Sequence, residues 1–447
     1  MKKIRGFIHS IWFYIPVVLI AVLFNCLDLG ILGFCLLVGI ICAVLIIDDD
    51  FAPVLCVMGA CVYALNEYPI TNTYYIVFGS CVAVFLPCLA FFIYKNIKAG
   101  VQFKLGKYFI PLVLLVVAFS FGGIFSPYYN IGSFGFGLVI SGCALIAYLL
   151  MYNFTKTKFV DLAFNLFTVV SSVIILEMWW SIFASGDVLN ALQTKKAIVG
   201  VGEINLPAMT VGMWIPLILA KGINSRYDFL YLLLSVFALL NIVASCSRGA
   251  LLFTLIFGFV SVVVFFIKTK QKKNVGITLG GLLGVVVLGV VAFLPTISEL
   301  LQHYISRGFD DTGRFDIYKL GWEYFTTYPA FGVGFQADVC GYPFSQFHST
   351  LMQYIASTGI IGTLLILPHI YQRYASFIVK GNLYTFFAGM SVLIMAGYGM
   401  IDQTSTFAMS YIYALVLMLA SEESKQDKAL LNERVNPLKE PLTQTKE

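Results

Sequence analysis

The sequence predicts an all-α polytopic membrane protein of about 12–14 transmembrane helices with one large external loop. Three features carry that expectation. Of 447 residues, 60% are hydrophobic and only 11% charged, whereas soluble domains carry about 25% charge. Apolar blocks, each long enough to cross a hydrocarbon core of about 30 Å as a helix, recur from the N-terminus to Ala420. Basic residues gather in alternate short connections, as expected when they select the cytoplasmic side.

The first block, "IWFYIPVVLIAVLFNCL" behind "MKKIRGF", resembles a signal peptide in length. No small-residue cleavage site follows and a second block begins at once, so it is read as a retained span. The expected spans are 9–25, 30–47, 51–67, 74–94, 108–125, 131–152, 160–183, 205–220, 227–246, 249–267, 275–294, 348–367, 382–400 and 404–420. The chain thus divides into eleven helices over 1–294, an external loop over 295–347, three helices over 348–420 and a cytoplasmic tail over 421–447. The tail, polar with two prolines, is expected to hold a short helix and then disorder. The ten cysteines, among them Cys35, Cys42, Cys56 and Cys88, mostly sit inside apolar blocks without any CxxC pair. They read as small buried hydrophobes, not as a zinc site or a disulfide framework.

With the N-terminus inside, the inner connections and tail hold 22 of the 28 lysines and arginines, and the outer side holds six, Lys195, Lys196, Arg248, Arg307, Arg314 and Lys319. Both termini are therefore expected in the cytoplasm. The net charge of +5 is explained by this bias, so no nucleic-acid partner is expected; membrane lipids are. The 295–347 loop falls outside. Its six tyrosines and tryptophans, with many charges and glycines, mark it as ordered and functional. Within it, Phe315, Tyr318, Trp322 and Phe325 form one stripe of a helix that begins after Thr312-Gly313, ends at Tyr328-Pro329 and lies on the membrane surface or folds back into it. The glycines of "YPAFGVGF" then supply a tight backbone turn; no strand precedes them, so they are no nucleotide fingerprint.

Four histidines are present. His9 and His369 fall at cytoplasmic span ends, where an interfacial role is the default, and His303 and His348 lie outside. His348 stands where the external loop enters a span, so its ring can be partly desolvated and still meet water and substrate, as a general base requires. The bland alternative is an interfacial histidine. Arg248, in "VASCSRGALLF", joins two apolar blocks near the outer face with no acidic neighbour in sequence. Such an arginine either snorkels to headgroups or holds an anion in its planar fork. Arg314 opens the aromatic helix, and Arg307 is either a solvated charge or an auxiliary contact to an anionic or glycan substrate. Glu177, inside a span near its outer end, pairs with an arginine, lines a cleft or is structurally hydrogen-bonded. Glu203 and Asn205 are further candidate substrate neighbours, and Asp310, Asp311, Asp316 and Asp338 are competing bases.

Ser247-Arg248-Gly249-Ala250 opening a span, Gly313-Arg314 before an aromatic helix, Pro329 to Gly334, and His348 followed by "LMQYIASTGIIG" occur in the order seen in the bacterial O-antigen ligase and O-antigen polymerase superfamily. The resemblance covers roughly residues 200 to 365; one departure is Ser349, where the family commonly has asparagine. The resemblance implies a glycosyltransferase of the GT-C type in the bacterial inner membrane, with its site facing outward. It implies an undecaprenyl-diphosphate-linked glycan as donor and a glycan, lipid or protein as acceptor. In the family's pattern Arg248 and Arg314 contact the diphosphate and His348 takes the acceptor proton, with no metal or cofactor. The competing readings are a lipid-linked oligosaccharide flippase and a peptidoglycan-type polymerase relying on an outer-loop aspartate. Against the flippase, the charged residues cluster at one face and no internal repeat is seen.

Overall fold

The computed structural model describes residues 2–65, 72–194, 198–200, 202–223, 225–292, 298, 313–339, 341 and 346–435. Each of the fourteen expected spans has a helix at its place, from Ile11–Cys26 and Gly30–Ile47 to Leu383–Ile401 and Ala408–Val435. Among the described residues seven helices are long and apolar enough to cross a membrane, or eight if Lys2–Ile8 and Ile11–Cys26, bent by 60°, count as one span. The chain is thus a helical, polytopic membrane protein. The only strands among the described residues are the two-residue partners Ile198–Val199 and Gly202–Glu203.

Several boundaries differ from expectation. The first span starts at Ile11, after a break at His9 and Ser10. The 51–67 block yields only the ten-residue helix Ala52–Cys61, buried at every position but Met58. It is too short to span and serves as a core helix. The last helix runs unbroken to Val435, so the first part of the tail continues it. Beyond that, the tail lies outside the described residues. His369, expected to play an interfacial role, is buried in protein within the Thr350–Ile378 helix, with Nε2 2.8 Å from an Arg373 amino group.

The centre of the bundle is the Asn205–Gly222 helix, buried on nearly every face and packed against Phe159–Ala184, Asp228–Ala244, Arg248–Lys268 and Leu383–Ile401. A helix that is apolar all round belongs inside. Small residues let its neighbours close in, as is usual for helices in lipid. A Cβ on Gly397 would lie 2.2 Å from Phe253, and one on Gly249 2.5 Å from Ile401. The start of the Arg248–Lys268 helix is thereby held against the C-terminal end of Leu383–Ile401.

The Thr350–Ile378 helix is broken at Gly359, whose φ of 63° and ψ of −167° are not helical. Broken backbone at membrane depth is tolerated only where protein satisfies its polar groups, each of which otherwise costs several kcal/mol. Residues 329–334 do this. Val333 and Gly334 donate to the carbonyls of Ala356 and Ser357, and Ile360 and Ile361 donate to Pro329 and Ala330, all at 2.8–3.0 Å. The glycines of the "FGVGF" stretch are therefore needed for close approach as well as for turning. A Cβ on Gly332 would meet Ala356 O at 2.4 Å, and one on Gly359 would meet the Ala330 carbonyl at 2.5 Å. Alanine at 359 combines that clash with a left-handed φ and breaks the junction. The junction fixes the loop relative to the helix whose N-terminus carries His348.

Candidate active site

His348 precedes the Thr350–Ile378 helix with φ 46°, a left-handed conformation uncommon for a residue with a Cβ. Two contacts hold it there. The Tyr318 hydroxyl donates to its carbonyl at 3.0 Å, and its Nδ1 lies 3.1 Å from Asp402 Oδ1. Ser349 caps the helix, its hydroxyl accepting from Met352 N at 3.4 Å. The serine at this position thus performs the capping that an asparagine side chain also can.

Asp402 terminates the Leu383–Ile401 helix and is fixed on both oxygens. Oδ1 accepts from its neighbour's amide, Gln403 N, at 2.8 Å, and Oδ2 accepts from the Tyr398 hydroxyl at 2.9 Å. Burial pushes this carboxyl up, but the bonds and charge of His348, with the Gln403 and Tyr398 donors, more than offset it, leaving it below the usual aspartate value. An ionised Asp402 favours the tautomer in which Nδ1–H donates to it, which makes Nε2 the basic nitrogen of the ring. The imidazole and carboxylate side chains are 19% and 16% exposed, a dyad that still touches solvent.

Arg314 Nη2 stands 3.9 Å from Asp402 Oδ2, within ion-pair range but beyond a hydrogen bond. One helical turn separates Arg314 from Tyr318, so the Arg314–Thr327 helix reaches both members of the dyad. Gly313, with φ 78°, lets the chain turn into that helix. Arg248 is the first residue of its helix, half-buried, and its neighbour Gly249 packs on Ile401 and Tyr398, next to Asp402. His348, Arg314 and Arg248 are thus gathered around one end of the Leu383–Ile401 helix.

The other candidates are placed differently. Glu177 is buried, and its Oε2 accepts from Gly200 N at 3.0 Å; its partner among the described residues is the small hairpin, not an arginine. Glu203 pairs through its backbone with Ile198 in that hairpin, and Asn205 starts the central helix half-buried. Asp316 and Asp338 are exposed, Asp338 accepting from Gly341 N. Arg307, Asp310, Asp311 and His303 lie outside the described residues. Among the described residues no group of three or more His, Cys, Asp or Glu side chains is arranged to hold a metal ion.

Sequence reasoning missed Asp402. Its signal was available: it is the only acidic residue between Asp338 and Glu422, alone in an apolar stretch and between two expected spans. An isolated charge of that kind marks function by default. Tyr398 carried no signal, since tyrosines abound at membrane interfaces, and Tyr318 was legible only as part of the aromatic stripe, not as a donor to the His348 carbonyl.

Residues 233–367 match the family model described as O-Antigen ligase, a segment that contains Arg248, Arg314 and His348 and ends before Asp402. No curated protein matches the chain.

Proposed function

We propose, from the match of residues 233–367 to the O-antigen ligase family model, which supports a membrane glycan ligase or polymerase in general, an inverting, metal-independent transfer of a lipid-diphosphate-linked glycan onto an acceptor hydroxyl. The observation that carries this reading is the His348–Asp402 bond, with Arg314 reaching the same carboxylate. Asp402 orients the ring and balances the imidazolium that forms. His348 Nε2 takes the proton of the acceptor hydroxyl as its oxygen attacks the anomeric carbon. The bond from that carbon to the diphosphate breaks on the opposite side, so configuration inverts. Arg248 and Arg314 receive the charge that develops on the leaving diphosphate, a role suited to planar guanidinium forks. The donor's undecaprenyl chain lies in the bilayer, and activation arrives with it, because nucleotide sugars are not supplied outside the cell.

In this reading the protein sits in the bacterial inner membrane with both termini inside and the dyad outside, as the distribution of basic residues favours. Cysteine introduced at Glu323 is then labelled from outside above the parent's background, whereas cysteine at Lys425 is spared. The reverse pattern overturns the orientation. The activity is tested by reconstituting the purified chain with lipid-linked repeat units and resolving the products on a gel. Longer chains or a glycosylated acceptor are expected from the wild type and not from His348→Gln, and the anomeric configuration of the product reads inversion directly.

A further inference from the structure

The Arg314–Thr327 helix uses its aliphatic face inward. Ile317 and Gly321 are buried, Leu320 and Tyr324 are half-buried, and a Cβ on Gly321 would collide with Met352 and Phe347. What it shows outward is aromatic. Phe315 is 72% and Trp322 54% exposed, although both are large apolar side chains. Each is set against a ring one turn along: Phe315 lies edge-on to Tyr318 with centroids 6.3 Å apart, and Trp322 lies 5.3 Å from Phe325. Phe315 and Trp322 are seven residues apart, two turns or about 10.5 Å along the axis. This edge begins at Arg314, and Tyr318 within it donates to the His348 carbonyl.

We propose that this aromatic edge is a saccharide subsite, on which the sugar rings of the glycan stack as they lead to or away from His348. The proposal rests on the glycan-transfer reading above and adds the place where the glycan lies. One face of a pyranose presents C–H groups, which pack on the negative face of an aromatic ring, while its hydroxyls need donors and acceptors around the rim. The helix supplies that rim, since Asp316, Lys319, Glu323 and Thr326 are all exposed. A lipid surface is the other chemistry that aromatics suit. A helix lying in a bilayer, however, needs an apolar stripe at least about 100° wide facing the lipid. Here the exposed aromatics sit only about 20° apart around the helix, and Lys319 follows about 40° beyond Phe315. The helix's aliphatic residues are spent on the protein, so the exposed edge is too narrow and too closely flanked by charge for insertion.

The test uses the full-length chain in lipid nanodiscs and, as probe, the oligosaccharide released by mild acid from the host's own diphosphate-linked glycan. Trp322 emission is taken as the difference between the parent and Trp322→Phe, a variant that keeps an aromatic ring. The oligosaccharide is expected to shield this emission from acrylamide, and brominated lipids are expected to leave it unquenched. In saturation-transfer NMR, Trp322→Ala and Phe315→Ala should each weaken oligosaccharide binding about tenfold, in line with the loss of one aromatic contact, while Trp322→Phe stays near the parent. Quenching by brominated lipid with no shielding by oligosaccharide assigns the edge to the membrane and overturns the proposal. Equal binding by parent and both alanine variants, each retaining the parent's thermal unfolding, overturns it as well. None of these readouts requires turnover, and His348→Gln should bind the oligosaccharide like the parent. Failure of the subsite is thereby separated from failure of the transfer mechanism.

Discussion

Among the described residues two histidines, His9 and His348, meet aspartates at opposite ends of the helices, and their surroundings differ. At the end assigned to the cytoplasm, His9 Nε2 lies 2.7 Å from Asp48 Oδ2. Around this pair every charge is consumed by the chain itself. Asp50 accepts from the amides of Ala52, Lys156 and Thr157 and from the Thr157 hydroxyl, Arg5 and Lys156 pair with Asp49, and Lys95 donates to the carbonyls of Leu45, Ile46 and Asp48. Three bases, Arg5, Lys95 and Lys156, face the three aspartates. At the other end, His348 and Asp402 stand with two arginines and one carboxylate. The inner pair ties connections together. The His348 pair has Arg314 within ion-pair range of its carboxylate and keeps an imidazole that still touches solvent, the arrangement that the proposed base chemistry calls for.

Breaking the two pairs in parallel tests this contrast. His348→Gln should lower transfer by about 10²–10⁴-fold, the usual contribution of a positioned base, in a protein that still folds. His9→Gln should leave transfer unchanged; an equal loss from both erases the distinction. Asp402→Asn should cost up to as much as His348→Gln, because an amide donating to Nδ1 moves the ring proton to Nε2 and removes the basic nitrogen. If Asp402→Asn transfers at the wild-type rate, the dyad is structural only. Arg248→Ala and Arg314→Ala should each lose on the order of 10²-fold, with lysine intermediate because the charge remains and the fork is lost. Full activity of both alanine variants in the reconstituted assay would remove the diphosphate role.

The two ends also differed in how well they could be read from sequence. Helix positions were legible because hydropathy acts locally: the 30–47 block became Gly30–Ile47, and the aromatic stripe became a helix within a residue of its expected ends. His348 and the two arginines were legible because polar groups among apolar runs are costly, and so are conspicuous. Asp402 was equally conspicuous, but its pairing with His348 spans 54 residues, a separation that no periodicity encodes. The break at Gly359 was hidden for a related reason. A glycine in a helical run has several uses, and only the approach of residues 329–334 from elsewhere in the chain shows which one applies. The inner clasp escaped notice because "DDD" beside a basic loop looks like an ordinary solvated face until three connections are folded together.

The smallest expected effect separates the pairs by the sign of their pH dependence. His9 is held above the ordinary histidine value, first by its hydrogen bond to Asp48, against opposing burial, and then by the charges of Asp48, Asp50 and Asp49. A raised folded value means that the clasp's contribution is complete below the unfolded value of about 6.5 and is lost as pH rises through the folded one. Asp402 is depressed, so its contribution is complete above the unfolded value of about 3.9 and disappears only as pH falls through the lower folded one. The His9 ring is 34% exposed, so solvent screening limits its contribution to about 1 kcal/mol. Thermal unfolding of the purified chain at about pH 6 and about pH 9 should therefore show the wild type's margin over His9→Ala shrinking as pH rises. A His9→Ala margin that stayed constant, or grew, between these two pH values would show that the ring is held by packing and not by charge, and the inner end would then no longer be an electrostatic clasp.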